Sequence, residues 1–207
     1  MASWDPEIKT PAQQRELKRR AILRVAAGLF NEKGFHGTSL DEIADVLGVT
    51  KTALYYYVKS KDALLYECLT VSYDCGQDAR EYAEKNGKDA LQKIELLYRR
   101  FIELLMTERG AYTTMANLNA LPEPQRKVLL GRRRQLDRYS RGLLQKAGEA
   151  GLIRVVDPKI ASNYFLGAAN WILRWYHEGE KSPEEIADIF MDLLLNGISK
   201  TAPDSRA

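Results

Sequence analysis

The chain has 207 residues, enough for one large domain or two small ones at about 150 residues each. Apolar residues make up 45% and charged residues 29%, which suits a folded chain with a buried core and restricts expected flexibility to the polar ends, 1–11 and 201–207. The longest stretch free of charge, Ile160 to Leu173, has 14 residues and falls short of the roughly 18 needed to cross a bilayer. No basic-then-apolar leader opens the chain, so a cytoplasmic location and no membrane partner are expected. Cys68 and Cys75 are seven positions apart, about 10.5 Å of helical rise and too far for a disulfide. With His36 and His177 the only histidines and no Cys-x-x-Cys, neither a closed zinc site nor a cofactor is expected.

The net charge of +3, from 31 basic and 28 acidic residues, says little by itself. Its distribution says more. Lys9, Arg15, Lys18, Arg19, Arg20 and Arg24 stand against a single acid, Glu16, so this run is either a footprint for phosphate or a solvated helix face.

The elements that follow are helical. Ile22, Val25, Ala26, Leu29 and Phe30 recur at the spacing of one helix face and predict a helix that stops near Gly34. Either Thr38 with Asp41 or Ser39 with Glu42 places an acid three residues after a hydroxyl cap. A short helix therefore starts there, turns Leu40, Ile43, Ala44 and Leu47 inward, and ends at Gly48. Thr50 caps a second short helix, Lys51 to Tyr57, and Ser60 caps a longer one to about Lys85. Further helices are predicted near 88–106, 122–150, 158–178 and 183–198, the last opening on the capping box Ser182-Pro183-Glu184-Glu185. No alternating pattern long enough for a sheet occurs. The fold class is all-α.

Leu40 to Val58 has the arithmetic of helix, tight turn, helix. Ala44 is small where two helices cross, Gly48 sits in the turn, and Leu54 anchors the second helix. That helix exposes Thr50, Lys51, Thr52, Tyr55 and Tyr56, types that donate to base edges and phosphates from an element that fits a major groove.

The pairs Gly34-Phe35, Thr38-Ser39, Ile43-Ala44, Leu47-Gly48-Val49 and Leu54-Tyr55, followed by Lys61-Asp62-Ala63-Leu64, resemble the DNA-binding signature of the TetR family from Ile22 to Leu65. Tyr57 and Val58 depart from it, standing where His and Phe are frequent. The resemblance implies an N-terminal three-helix DNA-binding domain, 12–60, and a larger helical domain, 61–200, that binds a ligand and dimerises. It implies that Lys51, Thr52 and Tyr56 face the groove and that Thr38, Tyr55, Tyr57 and Lys61 meet phosphates. Packing between helices is the alternative for Tyr55.

The larger half carries apolar residues on more than one side of its last two helices. Ile160, Tyr164, Ala168, Trp171, Ile172 and Trp175 form one stripe, with Phe165, Ala169 and Tyr176 on another. Ile186, Ile189, Phe190, Leu193 and Leu194 are flanked by Met191, Leu195 and Ile198. Such helices must be covered on more than one side, as by their own core and a second copy. A polar stripe, Asn163, Gly167, Asn170 and Arg174 beside Trp171, reads either as a ligand site, with Arg174 gripping phosphate or carboxylate, or as a packing stripe. The run Asn170 to Tyr176 is similar to a segment of TetR-like regulators that sense acyl-coenzyme A thioesters. The function expected is a homodimeric repressor released from a near-palindromic DNA operator by an effector, an acyl-coenzyme A thioester. The alternatives are an uncharged aromatic or polycyclic effector, or a helical binding module without DNA binding. An enzyme is not expected, since neither histidine lies in a nucleophile constellation and no glycine loop cradles phosphate.

Overall fold

The computed structural model describes residues 10–107, 115–176, 179 and 181–198, without the side chains at 115, 116, 173 and 174. It is all-α, and no strand occurs among the described residues. Helix α1 spans Pro11–Lys33, α2 Leu40–Leu47, α3 Lys51–Tyr57, α4 Lys61–Asn86, α5 Ala90–Leu105, α6 Glu123–Glu149, α7 Pro158–Trp175 and α8 Pro183–Leu195. A 3-10 helix at Met115–Ala120, which the periodicity did not indicate, precedes α6. Of the ends expected to be flexible, 1–9 and 201–207 lie outside the described residues. Thr10 and Pro11 instead build the start of α1: the Thr10 side chain accepts from Gln13 N, Gln13 reaches back to Thr10 N, and Pro11 opens the helix.

Hydroxyls and carboxylates at the starts, and glycines at two of the ends, set the helix boundaries. Ser60 accepts from Ala63 N at 3.1 Å, Asp89 from Gln92 N at 2.8 Å and Asp157 from Ile160 N at 3.0 Å. Ser182 and Glu185 form the expected capping box of α8. At Gly34 (φ 75°) and Gly48 (φ 66°) the chain turns with a backbone that a Cβ would strain. Among the described residues no helix is long and apolar enough to cross a membrane.

The chain divides into two compact units, Met1–Ser72 with Ala111–Leu129, and Tyr73–Gly110 with Leu130–Ala207. The first break falls inside α4, and the 3-10 helix belongs to the first unit, against α1. In the first unit Ile22, Ala26, Phe30, Phe35, Ile43, Ala44, Leu54, Leu64 and Leu65 are buried. The second unit is built around α5, whose Ile94, Leu97, Tyr98, Phe101 and Ile102 pack with Phe165, Ala169 and Ile172 of α7 and Ile186, Ala187 and Met191 of α8. A polar group runs through this core: Tyr98 Oη meets Ser140 Oγ, and Ser162 Oγ donates to Asp137, which also holds Arg141. Cys68 and Cys75 are buried and are not joined in a disulfide.

Candidate nucleic-acid interface

The helix-turn-helix is set by local chemistry. Ser39, and not Thr38, caps α2, accepting from Glu42 N at 3.0 Å. After Leu47 the chain turns at Gly48, and Val49 N donates back to Ala44 O at 3.0 Å. Thr50 then caps α3, accepting from Ala53 N at 3.2 Å. With Leu54 buried, as Ile43 and Ala44 of α2 are, the opposite side of α3 is left to solvent.

That side carries the residues the spacing selected. Thr50, Lys51, Thr52, Tyr55 and Tyr56 are exposed, Tyr56 to 70%, while Tyr57 is half-buried with its ring edge-on to Tyr56 at 5.1 Å. Lys51 Nζ lies 2.7 Å from Asp41 Oδ1 on α2, and the carboxylate beside it raises its affinity for the proton. The Arg15 guanidinium lies over the Tyr56 ring at 5.7 Å, which brings one member of the basic run to α3. Others in that run have carboxylate partners: Arg19 pairs with Glu67 at 2.9 Å and Arg20 with Glu16 at 3.0 Å. Exposed Val46 and Val49 flank the turn as apolar surface that the sequence reading did not single out.

Two residues carried over as phosphate contacts are turned inward instead. Thr38 is 2% exposed, and its Oγ1 donates between Gly34 O at 3.0 Å and Leu29 O at 3.2 Å. Lys61 sends its Nζ to Phe35 O and Thr38 O, both at 2.8 Å, and over the Phe35 ring at 4.2 Å. The corner between α1 and α2 leaves backbone groups open, and these side chains satisfy them. A third does the same from far along the chain. Asn117 of the 3-10 helix donates from Nδ2 to Phe30 O and accepts at Oδ1 from Phe35 N, both at 2.8 Å. No local pattern marks Asn117, because its partners lie more than 80 residues earlier.

The polar stripe of α7 faces outward. Asn163, Gly167, Asn170 and Trp171 are exposed, Trp171 to 65%, and the side chain of Arg174 lies outside the described residues. Asn163 and Asn170 donate to carbonyls one turn back, Lys159 O at 2.9 Å and Leu166 O at 2.7 Å. Ile160, Tyr164 and Trp175 are exposed with them, as are Ile189, Leu193 and Leu195 on α8.

A capped helix, a left-handed glycine turn and a second helix presenting lysine, threonine and tyrosine outward define a helix-turn-helix protein. The family model for bacterial regulatory proteins of the tetR family matches residues 22–68, and that for the tetracyclin repressor-like C-terminal domain matches 87–198. The chain belongs to the TetR family of transcription regulators. It is 53% identical over 47 residues to the transcriptional regulator RutR of Escherichia coli strain K12, a match spanning 23% of this chain and 22% of RutR. It is 26% identical over 204 residues to the transcriptional repressor KstR2 of Mycolicibacterium smegmatis, covering 96% of this chain and 98% of that one. The structure of AibR in complex with isovaleryl coenzyme A and operator DNA is similar with a TM-score of 0.70 and 27% identity, over 86% of this chain and 98% of AibR.

Proposed function

We propose that this chain is the subunit of a homodimeric repressor that binds a near-palindromic operator and leaves it when a small-molecule effector binds. The observation that carries the reading is the row Thr50, Lys51, Thr52, Tyr55 and Tyr56, exposed on α3 above a buried Leu54. Residues 12–60 supply the DNA contacts: Lys51, Thr52 and Tyr56 read bases, and Tyr55, Tyr57 and Arg15 position the headpiece on phosphates. The larger part, 61–200, receives the effector and dimerises. The exposed apolar faces of α7 and α8 are the surface a second copy would cover, and a two-fold protein matches two half-sites.

The effector is an acyl-coenzyme A thioester. The likeness to AibR, whose structure holds isovaleryl coenzyme A and operator DNA, supports it. Release requires the thioester to favour the dimer conformation that does not fit the operator, since equal affinity for both conformations shifts nothing. The experiment is a gel shift on DNA flanking the gene, titrated with acyl-coenzyme A species of several chain lengths and with neutral polycyclic compounds. A retarded band abolished by a thioester is expected. Release by the neutral compounds alone would overturn the effector, and no retarded band on any fragment would overturn the repressor.

A further inference from the structure

The second unit holds a cleft of about 350 Å³ between the end of α4, the start of α5 and the C-terminal half of α6. Its charges do not balance. Glu84 is engaged by Lys93 at 2.6 Å, and that hydrogen bond above all holds its carboxyl below the usual range. Asp89 is committed to capping α5, accepting from Gln92 N. Lys88, Arg138 and Lys146 remain, and among the described residues none of the three has a carboxylate within ion-pair distance. Counted against Asp89, these three leave a surplus of two positive charges around the opening and with it a positive potential.

The shape fits a ligand as well as the charge does. Arg138, Gly142 and Lys146 follow each other at one-turn intervals on the same face of α6. A Cβ at Gly142 would meet nothing within 4 Å, so the helix presents cation, open space, cation. Leu143 and Ala90 give the cleft an apolar part, and the Tyr139 hydroxyl is turned to Glu84. Arginine and lysine around a partly apolar hollow suit a multiply charged group better than a single carboxylate.

We propose that this cleft binds a phosphate-bearing organic anion and is where the charged head of the effector docks, in place of the α7 stripe. The identity of that anion as an acyl-coenzyme A rests on the effector reading above; the cleft itself does not.

The test is calorimetric titration of the full-length protein with coenzyme A, inorganic pyrophosphate and octanoate at low and raised salt. Coenzyme A and pyrophosphate are expected to bind, more weakly as salt rises, and octanoate to bind far less tightly. Gly142→Leu leaves every charge in place but fills the opening, while Arg138→Gln with Lys146→Gln leaves the opening and removes charge. Each is expected to weaken coenzyme A by at least about tenfold, with the helical melting curve preserved. Absence of binding to the wild type, unchanged binding to both variants, or tighter binding of octanoate than of pyrophosphate would overturn the proposal. Two outcomes separate it from the effector reading. If an acyl-coenzyme A releases operator from Gly142→Leu as readily as from wild type, the cleft is not the effector's site and the reading survives. If coenzyme A fills the cleft but no thioester releases operator, the cleft stands and the reading falls.

Discussion

Lys51 stands on the first turn of α3 with its ammonium on Asp41, and both side chains are more than half exposed. A pair so open to water adds little to stability, so a base edge can compete for the lysine. Lys51→Ala is expected to lower operator affinity on the order of tenfold more than affinity for random DNA, read by parallel gel shifts. Equal losses would make Lys51 a phosphate contact. Lys61 is the opposite case, since it holds two backbone carbonyls. Lys61→Met leaves Phe35 O and Thr38 O without this donor and is expected to cost roughly 1–3 kcal/mol in denaturant unfolding. The slope of operator affinity against salt should barely change. A slope reduced by about one would return Lys61 to the DNA face. For Cys68, burial, with the Glu67 charge adding to it, pushes the thiol up to about 12. Iodoacetamide at mildly alkaline pH should therefore leave Cys68 unmodified in the folded protein and label it after unfolding.

At the scale of elements, α2 and α3 are too short to persist alone and hold because Leu54, Ile43 and Ala44 are buried where α2 packs on α1 and α3 on α2. The corner that carries them is fastened by the 3-10 helix. Asn117→Ala removes the partner of Phe35 N and one of the two donors to Phe30 O inside a buried site, at a cost of about 1–3 kcal/mol. Amide exchange at Phe35 is expected to speed up, and operator affinity to fall through a loosened headpiece. An unchanged exchange rate at Phe35 would show that the amide is protected without Asn117.

At the scale of the whole molecule, the prediction concerns assembly. Ile160, Tyr164 and Trp171 on α7 and Ile189 and Leu193 on α8 remain exposed after each helix has buried its other side. Faces of this kind are usual where another chain packs. The protein is expected to sediment as a dimer at micromolar concentration, and Leu193→Asp, which sets a charge in the seam, to sediment as a monomer with weakened operator binding. A monomeric wild type would remove the two-fold basis of the operator reading. Binding by two headpieces should also fall steeply with salt, because each phosphate neutralised releases counterions.

The sequence by itself determined what depends on neighbours a few residues away. Caps at Thr50, Ser60 and Ser182, the left-handed turn at Gly48 and the inward set Ile43, Ala44 and Leu54 act within one or two turns, so spacing alone places them. The outward row on α3 followed from the same arithmetic. Tertiary structure decided where polar side chains go when two directions are open. Thr38 and Ser39 were equal candidates to cap α2, and burial of Thr38 against α1 settled it. Lys61 had a phosphate or two carbonyls to choose between, and the open backbone at the α1–α2 corner took it. The stripe of α7 had a cavity or a surface, and the burial of Phe165, Ala169 and Ile172 turned it outward. The Asn117 bridge and the cleft at Gly142 join residues tens of positions apart. No periodicity encodes either of them, because periodicity reports only which face of a helix is apolar and not which other helix lies across from it.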